Sequence, residues 1–387
     1  MHTATFKEIK AGKVTDVYFQ RTKEILKKKG IRRRVAVEVT TKSLPEEWSW
    51  AVFVGLEECV ELLRGLRGVD VWALEEGTLF FPSMPVMVIE GEYTSFGCYE
   101  TALLGILCQA SGVATRAARC KKAAAGRPIV SFGARRMHPA IAPMIERSAF
   151  IGGCDGVATV KGAEMAGVAP TGTIPHALVL LTGGAAEAVE AFDDIIDRTV
   201  KRIALVDTFS DEKFEALSAA AALGRRLYGI RIDTTPSRRG NLKEILREVR
   251  WELDLRGFRQ VKIFVSGGID EKRIEALNEF SDAYGVGTAL SNAPTIDFAM
   301  DIVSIDDMPV SKKGKLSGVK EVHRCPVCLG TWVTPKGYAP KRRCNHAAPC
   351  KKLLRKSIAD GTLTKELPHP QTIRKSVLKQ LALVSLS

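Results

Sequence analysis

The sequence predicts an α/β fold in which an irregular (β/α) TIM-like barrel follows an N-terminal α/β domain and precedes a small C-terminal domain. Three observations support this prediction. Between about residues 127 and 290, short apolar segments alternate with segments of helical spacing. The first 112 residues mix strand-like and helix-like patterns without that alternation. The last 65 residues are basic and hold four closely spaced cysteines.

The alternating region is expected to form a parallel sheet, because repeated β/α units with buried strands produce that arrangement. Seven units within about 165 residues favour a closed barrel over an open doubly wound sheet. The predicted strands span residues 128–132, 156–160, 171–174, 202–207, 229–233, 261–265 and 283–287.

Domain boundaries follow from where the alternation starts and stops. The N-terminal domain is placed at 1–112 and is completed by a return segment at about 293–322. The barrel occupies 113–292, and the C-terminal domain occupies 323–387. Within the N-terminal domain, we predict a strand at 33–40 and helices at 48–63 and 100–110.

The formal net charge of +13 is concentrated in the tail. From Ser311 to Ser387 there are 17 Lys and Arg against 3 Asp and Glu, so the preceding 310 residues are nearly neutral. Such a tail can bind nucleic acid, but a well-solvated appendage is the favoured interpretation. The N-terminus shows no signal-like apolar segment, and no stretch reaches the roughly 18 apolar residues of a membrane span. We therefore expect a cytoplasmic protein.

Two glycine elements follow the last two predicted strands. They are Ser266-Gly267-Gly268 and Gly285-Val286-Gly287-Thr288. In barrels, the loops after the last strands often bind phosphate, because glycines let backbone N–H groups approach the anion. Each element alone could serve only as a tight turn. Their pairing favours a phosphate site.

A cluster of Phe132, Arg135 and Arg136 follows the first barrel strand. An aromatic ring beside guanidinium groups suits a flat anionic ligand, although a surface salt-bridge patch is the alternative. Other predicted strand ends carry Asp155, His176, Asp207, Arg231 and Asp233. Carboxylates and cations at one barrel mouth suit a substrate that combines phosphates, hydroxyls and Mg²⁺. Without a nucleophile elbow, HExxH or Walker A motif, we expect catalysis by positioning and electrostatics.

The tail holds Cys325, Cys328, Cys344 and Cys350. Two close pairs separated by 15 residues predict a structural Zn²⁺ site in a zinc-knuckle-like domain. His346 could replace one ligand, since the second pair is widely spaced. A redox pair of Cys325 and Cys328 is the main rival interpretation.

In combination and order, these motifs resemble those of the nicotinate phosphoribosyltransferases, especially the short archaeal-type form, which belongs to the type II phosphoribosyltransferases. The resemblance covers nearly the whole chain and rests on Thr15-Asp16-Val17-Tyr18, Glu100-Thr101, Phe132-Gly133-Ala134-Arg135-Arg136, Gly172-Thr173-Ile174-Pro175-His176, both glycine elements, and Gly318-Val319-Lys320-Glu321-Val322. Relatives often carry an Asp among the glycines of the first phosphate loop, which is absent here.

The resemblance implies the roles of individual residues. Nicotinate would stack near Phe132, with Arg135 near its carboxylate and Tyr18 supplied by a neighbouring subunit. The resemblance implies that phosphoribosyl pyrophosphate faces His176, Arg231 and Asp233, and that its 5′-phosphate lies at the glycine loops. It thus assigns catalysis to His176, Arg135 and Asp233 and substrate binding to Asp16, Tyr18, Phe132, Arg136, Asp155, Arg231, Ser266, Gly267, Gly268, Gly287 and Thr288.

The resemblance also implies a reaction and an assembly. The pyridine nitrogen would attack the ribose carbon that bears pyrophosphate, with Mg²⁺ and cationic residues stabilising the leaving group. Family members often couple this transfer to ATP hydrolysis through a phosphorylated histidine, for which His176 is the candidate. Shared active sites imply a homodimer or a higher homo-oligomer.

Two alternatives remain open at this point. Quinolinate phosphoribosyltransferase shares the barrel and the donor but decarboxylates its acceptor, and a second carboxylate would require more Arg and Lys at the site. A nucleic-acid-binding protein that uses a zinc-ribbon tail belongs to a different class, and its affinity would fall steeply with salt.

Overall fold

The computed structural model describes residues 2–386 except 236, 238, 239, 342, 343 and 347. The helices of this part of the chain are α1 Phe6–Lys10, α2 Val17–Lys28, α3 Leu56–Leu63, α4 Tyr93–Phe96, α5 Glu100–Ala123, α6 Ala142–Gly152, α7 Val160–Ala166, α8 His176–Thr182, α9 Ala185–Ile195, α10 Glu212–Leu223, α11 Leu242–Leu255, α12 Glu271–Leu277, α13 Thr288–Ser291 and α14 Pro370–Leu381.

The strands of the described residues are β1 Arg34–Thr40, β2 Ala51–Val52, β3 Asp70–Ala73, β4 Leu79–Phe80, β5 Met87–Glu92, β6 Ile129–Ser131, β7 Gly156–Val157, β8 Ile203–Leu205, β9 Gly229–Ile232, β10 Lys262–Val265, β11 Ala283–Val286, β12 Ala299–Ile305, β13 Met308–Pro309, β14 Lys320–Arg324, β15 Thr331–Pro335, β16 Lys351–Lys352, β17 Arg355–Ala359 and β18 Thr362–Leu363. Two compact units contain these elements. The first unit comprises Met1–Thr115 and Pro294–Ser387, and the second comprises Arg116–Ala293.

The first unit is built on a seven-stranded antiparallel sheet with the order β13-β12-β1-β5-β3-β17-β18. Alternate residues of β1, namely Val35, Val37 and Val39, are buried in the hydrophobic core of this unit. The return segment contributes β12, which pairs with β1. The sheet therefore combines β1 with a strand that lies far from it in the sequence.

The tail is part of this sheet, which differs from the separate C-terminal domain expected from the sequence. Strand β17 pairs with β3, and α14 packs against the same unit. Several of its lysines bind acidic residues of the first unit, including Lys336 to Glu90 at 3.3 Å and Lys356 to Asp70 at 3.2 Å. Part of the basic charge is therefore neutralised locally, which the charge count alone could not show.

Two buried carboxylates face each other across β1 and β12. Glu38 is opposite Asp301 in the strand register, and both side chains are at most 5% exposed. Lys320 binds Glu38 at 2.7 Å, while Lys312 and Lys315 each bind Asp301 at 2.6 Å. A buried carboxylate is costly unless it is paired. The lysines of the return segment therefore stabilise both carboxylates, while its strand β12 extends the sheet.

The second unit contains a six-stranded parallel sheet with the order β7-β6-β11-β10-β9-β8. Its first strand in sequence, β6, pairs with its last, β11, which is the pairing that closes a barrel. In the part of the chain that the structure describes, β7 and β8 do not pair with each other. The sheet is thus a half-barrel with an open seam, and the prediction of a closed barrel is corrected in this respect.

The seam lies where the sequence predicted a strand at 171–174. These residues form no regular strand, although the Thr171 N–H donates to the Val157 carbonyl at 2.8 Å. Pro170 and Pro175 flank the segment, and each lacks the N–H that a ladder requires. The chain therefore follows the edge of β7 for one hydrogen bond and then enters α8.

Most other predicted elements are confirmed within a few residues. Strands β6, β8, β9, β10 and β11 lie inside the predicted strand ranges. The predicted helix at 48–63 is wrong in its first half, which contains β2 and a turn at Gly55. Gly55 has a φ of 102° and begins α3, so the helix cannot extend further toward the N-terminus.

Gly77 gives a direct test of how α14 packs within the first unit. Gly77 has a φ of +84°, and a Cβ placed there would lie 2.6 Å from Ile373 Cγ2. We expect Gly77→Ala to lower the free energy of unfolding by about 1–3 kcal/mol, because α14 must move away from the added methyl group. Urea unfolding measures this change.

Gly105→Ala is the matched control, since a Cβ there meets nothing within 4 Å and lies on an exposed face of α5. That substitution should leave stability unchanged or raise it by up to about 1 kcal/mol. Equal urea midpoints for the two variants would contradict the packing of α14 on Gly77.

Candidate active site

A large cleft lies at the carboxyl ends of the strands of the second unit. Its volume is about 1460 Å³. Parallel strands bring their carboxyl ends to the same edge, so residues far apart in sequence meet there. Eleven of the residues to which the resemblance assigns a role line the cleft: Phe132, Arg135, Arg136, His176, Arg231, Asp233, Ser266, Gly267, Gly268, Gly287 and Thr288.

The aromatic ring of Phe132 lies against the backbone of Gly285. A Cβ at Gly285 would be 2.4 Å from Phe132 Cε2, so only glycine leaves room for the ring. A second close approach brings Gly133 to the Gly287 carbonyl, which a Cβ would meet at 2.8 Å. The guanidinium of Arg231 lies 5.7 Å from the centre of the Phe132 ring. The ring therefore packs on one glycine and lies near one cation.

Two consecutive glycines shape the loop after β10. Gly267 and Gly268 have φ angles of +82° and +67°, which side chains rarely tolerate. A Cβ at Gly267 would lie 2.9 Å from Asp233 Oδ1, and the same oxygen accepts a 2.9 Å hydrogen bond from the Ser266 hydroxyl. The neighbouring strand β9 therefore supplies a carboxylate beside this loop, where the loop's own sequence has none.

His176 and Asp207 form a pair at the base of the cleft. His176 Nε2 lies 3.1 Å from Asp207 Oδ1, and the Asp233 N–H donates to Asp207 Oδ2 at 2.8 Å. The Asp207 side chain is only 2% exposed, and burial raises the pKa of this carboxyl despite the opposing effects of the amide and of His176. Asp207 thus connects the start of α8 to the end of β9.

Arg231 is a half-buried cation of the cleft. Burial lowers the pKa of its guanidinium, and Asp233 and Asp207 oppose that shift. Its Nη2 donates to the Ile174 carbonyl at 3.3 Å, whereas Nε is buried without a hydrogen-bond partner among the described residues. A buried donor without a partner is costly, so a ligand in the cleft would relieve that cost.

The sequence did not single out several polar residues that also line the cleft. They include Thr159, Lys161, Thr208, Glu212 and Thr234. The Thr234 hydroxyl donates to Glu212 Oε1 at 2.6 Å. Thr208 and Thr234 directly follow Asp207 and Asp233. Both threonines could have been found from the sequence if one further residue after each predicted strand had been considered.

Asp155 does not line the cleft, and its assignment to the site is corrected by the structure. It precedes β7 rather than following it, so it lies at the opposite end of the sheet. Its Oδ2 accepts a 2.7 Å hydrogen bond from Lys121 and a 2.9 Å hydrogen bond from the Ile129 N–H. These contacts fix the start of β6.

Asp16 and Tyr18 belong to the first unit and do not line the cleft of the second. Asp16 Oδ2 accepts a 2.8 Å hydrogen bond from the Thr101 hydroxyl, which joins two of the motifs recognised in the sequence. Tyr18 is 55% exposed, and its ring centre lies 4.3 Å from that of Phe19.

Three of the four tail cysteines come together in the first unit. Ligand atoms of Cys325, Cys328, Cys344 and His346 all lie within 4.8 Å of one another, and Cys350 is outside this group. His346 Nδ1 is buried without a partner among the described residues. Hydrogen bonds from the backbone amides of Cys328 and Val327 lower the pKa of the Cys325 thiol to about 7. The cluster therefore offers three sulfurs and one nitrogen, with His346 in the place assigned to Cys350.

In the described part of the chain, no helix combines the length and the apolar character that a membrane crossing demands.

Domain profiles of known proteins match both units. The quinolinate phosphoribosyl transferase N-terminal domain matches residues 16–111, and the C-terminal domain of the same family matches residues 113–301. The structure of a nicotinate-nucleotide pyrophosphorylase from Pyrococcus furiosus is 52% identical, with a TM-score of 0.96, over 99% of this chain and 98% of that one. The structure of human nicotinic acid phosphoribosyltransferase shares the fold, with 20% identity and a TM-score of 0.76 over 96% of this chain and 94% of that one.

The chain is also similar to proteins from several organisms that are named nicotinate phosphoribosyltransferase. A nicotinate phosphoribosyltransferase from Mycobacterium tuberculosis is 35% identical over 311 residues, which are 78% of this chain and 62% of the relative. One from Bacillus subtilis is 28% identical over 88% of this chain and 75% of its own length. The chain thus spans about three fifths of the length of the Mycobacterium relative that it matches.

The half-barrel, its strand-end cleft and these relatives define a type II phosphoribosyltransferase, and the chain belongs to that family. Within the family, the resemblance to the nicotinate phosphoribosyltransferases is confirmed.

The pKa of Glu100, which Asp16 helps to raise, can be tested through the stability of the protein. Burial, with Asp301 adding to its effect, raises the pKa of Glu100 from 4.5 to about 7, and Lys312 partly opposes the shift. The folded-state pKa exceeds the unfolded one, so the folded protein binds the extra proton. Stability should therefore decrease as the pH rises from about 4.5 to 7. Glu100→Gln, which cannot ionise, should gain stability relative to the wild type across that range.

Urea unfolding of both proteins at pH 4.5 and pH 8 measures the difference. A gap in the free energy of unfolding that is the same at both pH values would contradict the raised pKa of Glu100.

Proposed function

We propose that this chain is a nicotinate phosphoribosyltransferase, which transfers phosphoribosyl from phosphoribosyl pyrophosphate to nicotinate and releases nicotinate mononucleotide and pyrophosphate. The supporting observation is that one cleft combines a fixed aromatic ring, exposed guanidinium groups and a double-glycine loop beside a carboxylate. This combination provides separate places for a flat acid and for a sugar phosphate. The names of the curated relatives agree with it.

The acceptor would lie against Phe132. The exposed guanidinium groups of Arg135 and Arg136 line the cleft just after β6, where either can bind a carboxylate in a bidentate manner. Stacking on Phe132 would hold the pyridine ring in one plane and present its nitrogen to the donor. Such positioning lowers the entropic part of the barrier.

The donor would lie across the other strand ends. Backbone amides of Gly267, Gly268, Gly287 and Thr288 are proposed to bind its 5′-phosphate. Asp233 would bind the ribose hydroxyls, in the role that an Asp of the glycine loop has in relatives. The Asp207, Asp233 and Glu212 carboxylates line the same cleft and are oxygen ligands of the kind that Mg²⁺ prefers. Bound there with the donor, Mg²⁺ would neutralise the departing pyrophosphate.

His176 is the proposed site of coupling to ATP hydrolysis. Its side chain is 42% exposed to the cleft side, and Asp207 holds one ring nitrogen. A histidine held by a buried carboxylate has a fixed ring orientation, which suits a phosphoryl acceptor. In this proposal, ATP is a co-substrate rather than a bound cofactor.

The active site is proposed to be completed by a second copy of the chain. Tyr18 is exposed, and it shares a small polar cluster with Asp16 and Thr101. In a homodimer or a higher homo-oligomer, Tyr18 of one subunit would cover the nicotinate bound at Phe132 of another. That arrangement would sandwich the ring between two aromatic side chains.

The tail is proposed to bind structural Zn²⁺ through Cys325, Cys328, Cys344 and His346. Three thiolates and one imidazole form a common tetrahedral set, and the orphaned His346 Nδ1 fits that role. The ion would cross-link the segment between β14 and β16, which contains all four ligands. A full set of four protein ligands makes its role structural.

Quinolinate phosphoribosyltransferase is the second candidate, because both matching domain profiles carry that name. A second carboxylate on the acceptor needs a further cation, and Lys161, which binds Glu164 at 2.7 Å, also lines the cleft. Carbon dioxide release with quinolinate as the acceptor would support this candidate. Turnover with nicotinate and no carbon dioxide supports the first.

Replacement of Arg135 tests the acceptor site. Arg135→Ala should lower turnover with nicotinate by at least about 100-fold, since a charge-assisted contact to the acceptor is lost. The unfolding temperature should stay near that of the wild type, because Arg135 is exposed. Arg225→Ala is the matched control, as an exposed arginine of the same unit that does not line the cleft. Near-normal turnover of Arg135→Ala would remove this residue from the site.

Metal content tests the ligand set. The purified wild-type protein should contain about one zinc ion per chain, and Cys344→Ser should lose it because a neutral hydroxyl replaces a thiolate ligand. Cys350→Ser should retain it. Elemental analysis of the three proteins measures this. Zinc that is lost equally from both variants, or absent from the wild type, would contradict the proposed ligands.

A further inference from the structure

Two glutamates of the second unit are buried behind the loops that line the cleft. Glu146 on α6 is 0% exposed, and Glu215 on α10 is 6% exposed. A buried carboxylate persists only when hydrogen bonds satisfy its oxygens. In both glutamates, the donors are backbone amides of a cleft loop.

Glu215 binds three successive amides of the loop that follows β8. Its Oε2 accepts a 3.1 Å hydrogen bond from the Thr208 N–H, and its Oε1 accepts hydrogen bonds of 2.6 Å from Phe209 and 2.7 Å from Ser210. All three loop residues line the cleft, and they directly follow Asp207. One carboxylate thus fixes the backbone of the segment next to the partner of His176.

Glu146 does the same for the loop that follows β7. Its oxygens accept the N–H groups of Ala158 at 2.8 Å and Thr159 at 3.1 Å, and also the Thr159 hydroxyl. A Cβ at Gly162 would lie 2.1 Å from Glu146 Oε2, so a glycine is required for the approach. Two separate loops of the cleft are therefore each held by a buried glutamate that accepts hydrogen bonds from their backbone amides.

Thr208 belongs to the segment that Glu215 holds, and its hydroxyl is a candidate contact for a ligand. Its hydroxyl oxygen is buried and has no hydrogen-bond partner in the described part of the chain, although the residue lines the cleft. The Thr208 amide is already bound to Glu215. A buried hydroxyl without a partner is costly, and a hydroxyl or phosphate oxygen of a bound ligand would satisfy it.

We propose that Glu215 is a positioning residue, which holds the 207–210 segment so that Asp207 binds His176 and the Thr208 hydroxyl contacts the phosphoribosyl donor. The role of the donor rests on the proposed function, whereas the positioning of Asp207 does not. Glutamine has nearly the same shape as glutamate but carries an NH₂ group in place of one oxygen. In Glu215→Gln, that group faces a backbone N–H, so the loop must shift.

Asp193→Asn is the matched control. Asp193 is 2% exposed and binds Arg202 at 2.8 Å as well as Arg198 and Arg226, but it does not line the cleft. Its replacement also disturbs a buried carboxylate of the second unit. It should lower the unfolding temperature without altering kcat or the imidazole of His176.

The first experiment compares kcat, KM and the imidazole ¹⁵N resonances of His176 in the wild type and both variants. Glu215→Gln should lower kcat about 10- to 100-fold, leave KM for nicotinate within about twofold, and shift the His176 resonances. Resonances that are unchanged in Glu215→Gln, or an equal loss of kcat in Asp193→Asn, would overturn the positioning role. If the wild type is inactive with nicotinate but the His176 resonances of Glu215→Gln still differ from those of the wild type, the positioning role is upheld and the proposed function is refuted.

Thr208→Val provides the second variant, should Glu215→Gln fold poorly. Valine matches threonine in shape and lacks only the hydroxyl. We expect KM for phosphoribosyl pyrophosphate to rise about tenfold, with KM for nicotinate and the unfolding temperature close to wild type. An unchanged KM for the donor would overturn the contact of Thr208 with it.

Discussion

The pairing of β6 with β11 is the constraint on which the candidate active site depends. It joins the first and last strands of the half-barrel, in register from Ile129 opposite Tyr284 to Ser131 opposite Val286. Gly285 and Gly133 permit that pairing to continue into the loops, because neither leaves room for a Cβ. Without this closure, Phe132 would not lie within reach of Arg231 or of the glycine loop after β10.

Around that closure, the cleft is built from buried polar groups that satisfy one another. Asp207 binds His176 and the amide of Asp233, and Asp233 in turn receives the Ser266 hydroxyl. Each group has a fixed partner, so the site is ordered before any ligand enters. Two buried groups of residues that line the cleft, Arg231 Nε and the Thr208 hydroxyl, have no hydrogen-bond partner among the described residues. Those are the positions where a ligand gains most from binding.

Much of the site could be predicted from the sequence, because residues that follow buried parallel strands must meet at one edge. Phe132, Asp233 and the glycine loops were found in this way. Asp155 was assigned wrongly, because it precedes the predicted strand at 156–160 and so belongs to the amino end of β7 and not to the carboxyl edge of the sheet. His346 and Cys350 could not be separated by spacing alone. Glu215 was missed, because a carboxylate that binds amides of its own N-terminal loop has no distinctive sequence pattern. The pairing of β17 with β3 depends on contacts between distant segments, which a charge count cannot reveal.

The most direct measurement is a crystal structure of the protein with nicotinate, phosphoribosyl pyrophosphate and Mg²⁺ bound. The account predicts that the pyridine ring stacks on Phe132 and that the 5′-phosphate contacts the amides of Gly267 and Gly268. A donor phosphate bound away from both glycines, with the space beside Phe132 filled only by solvent, would contradict it.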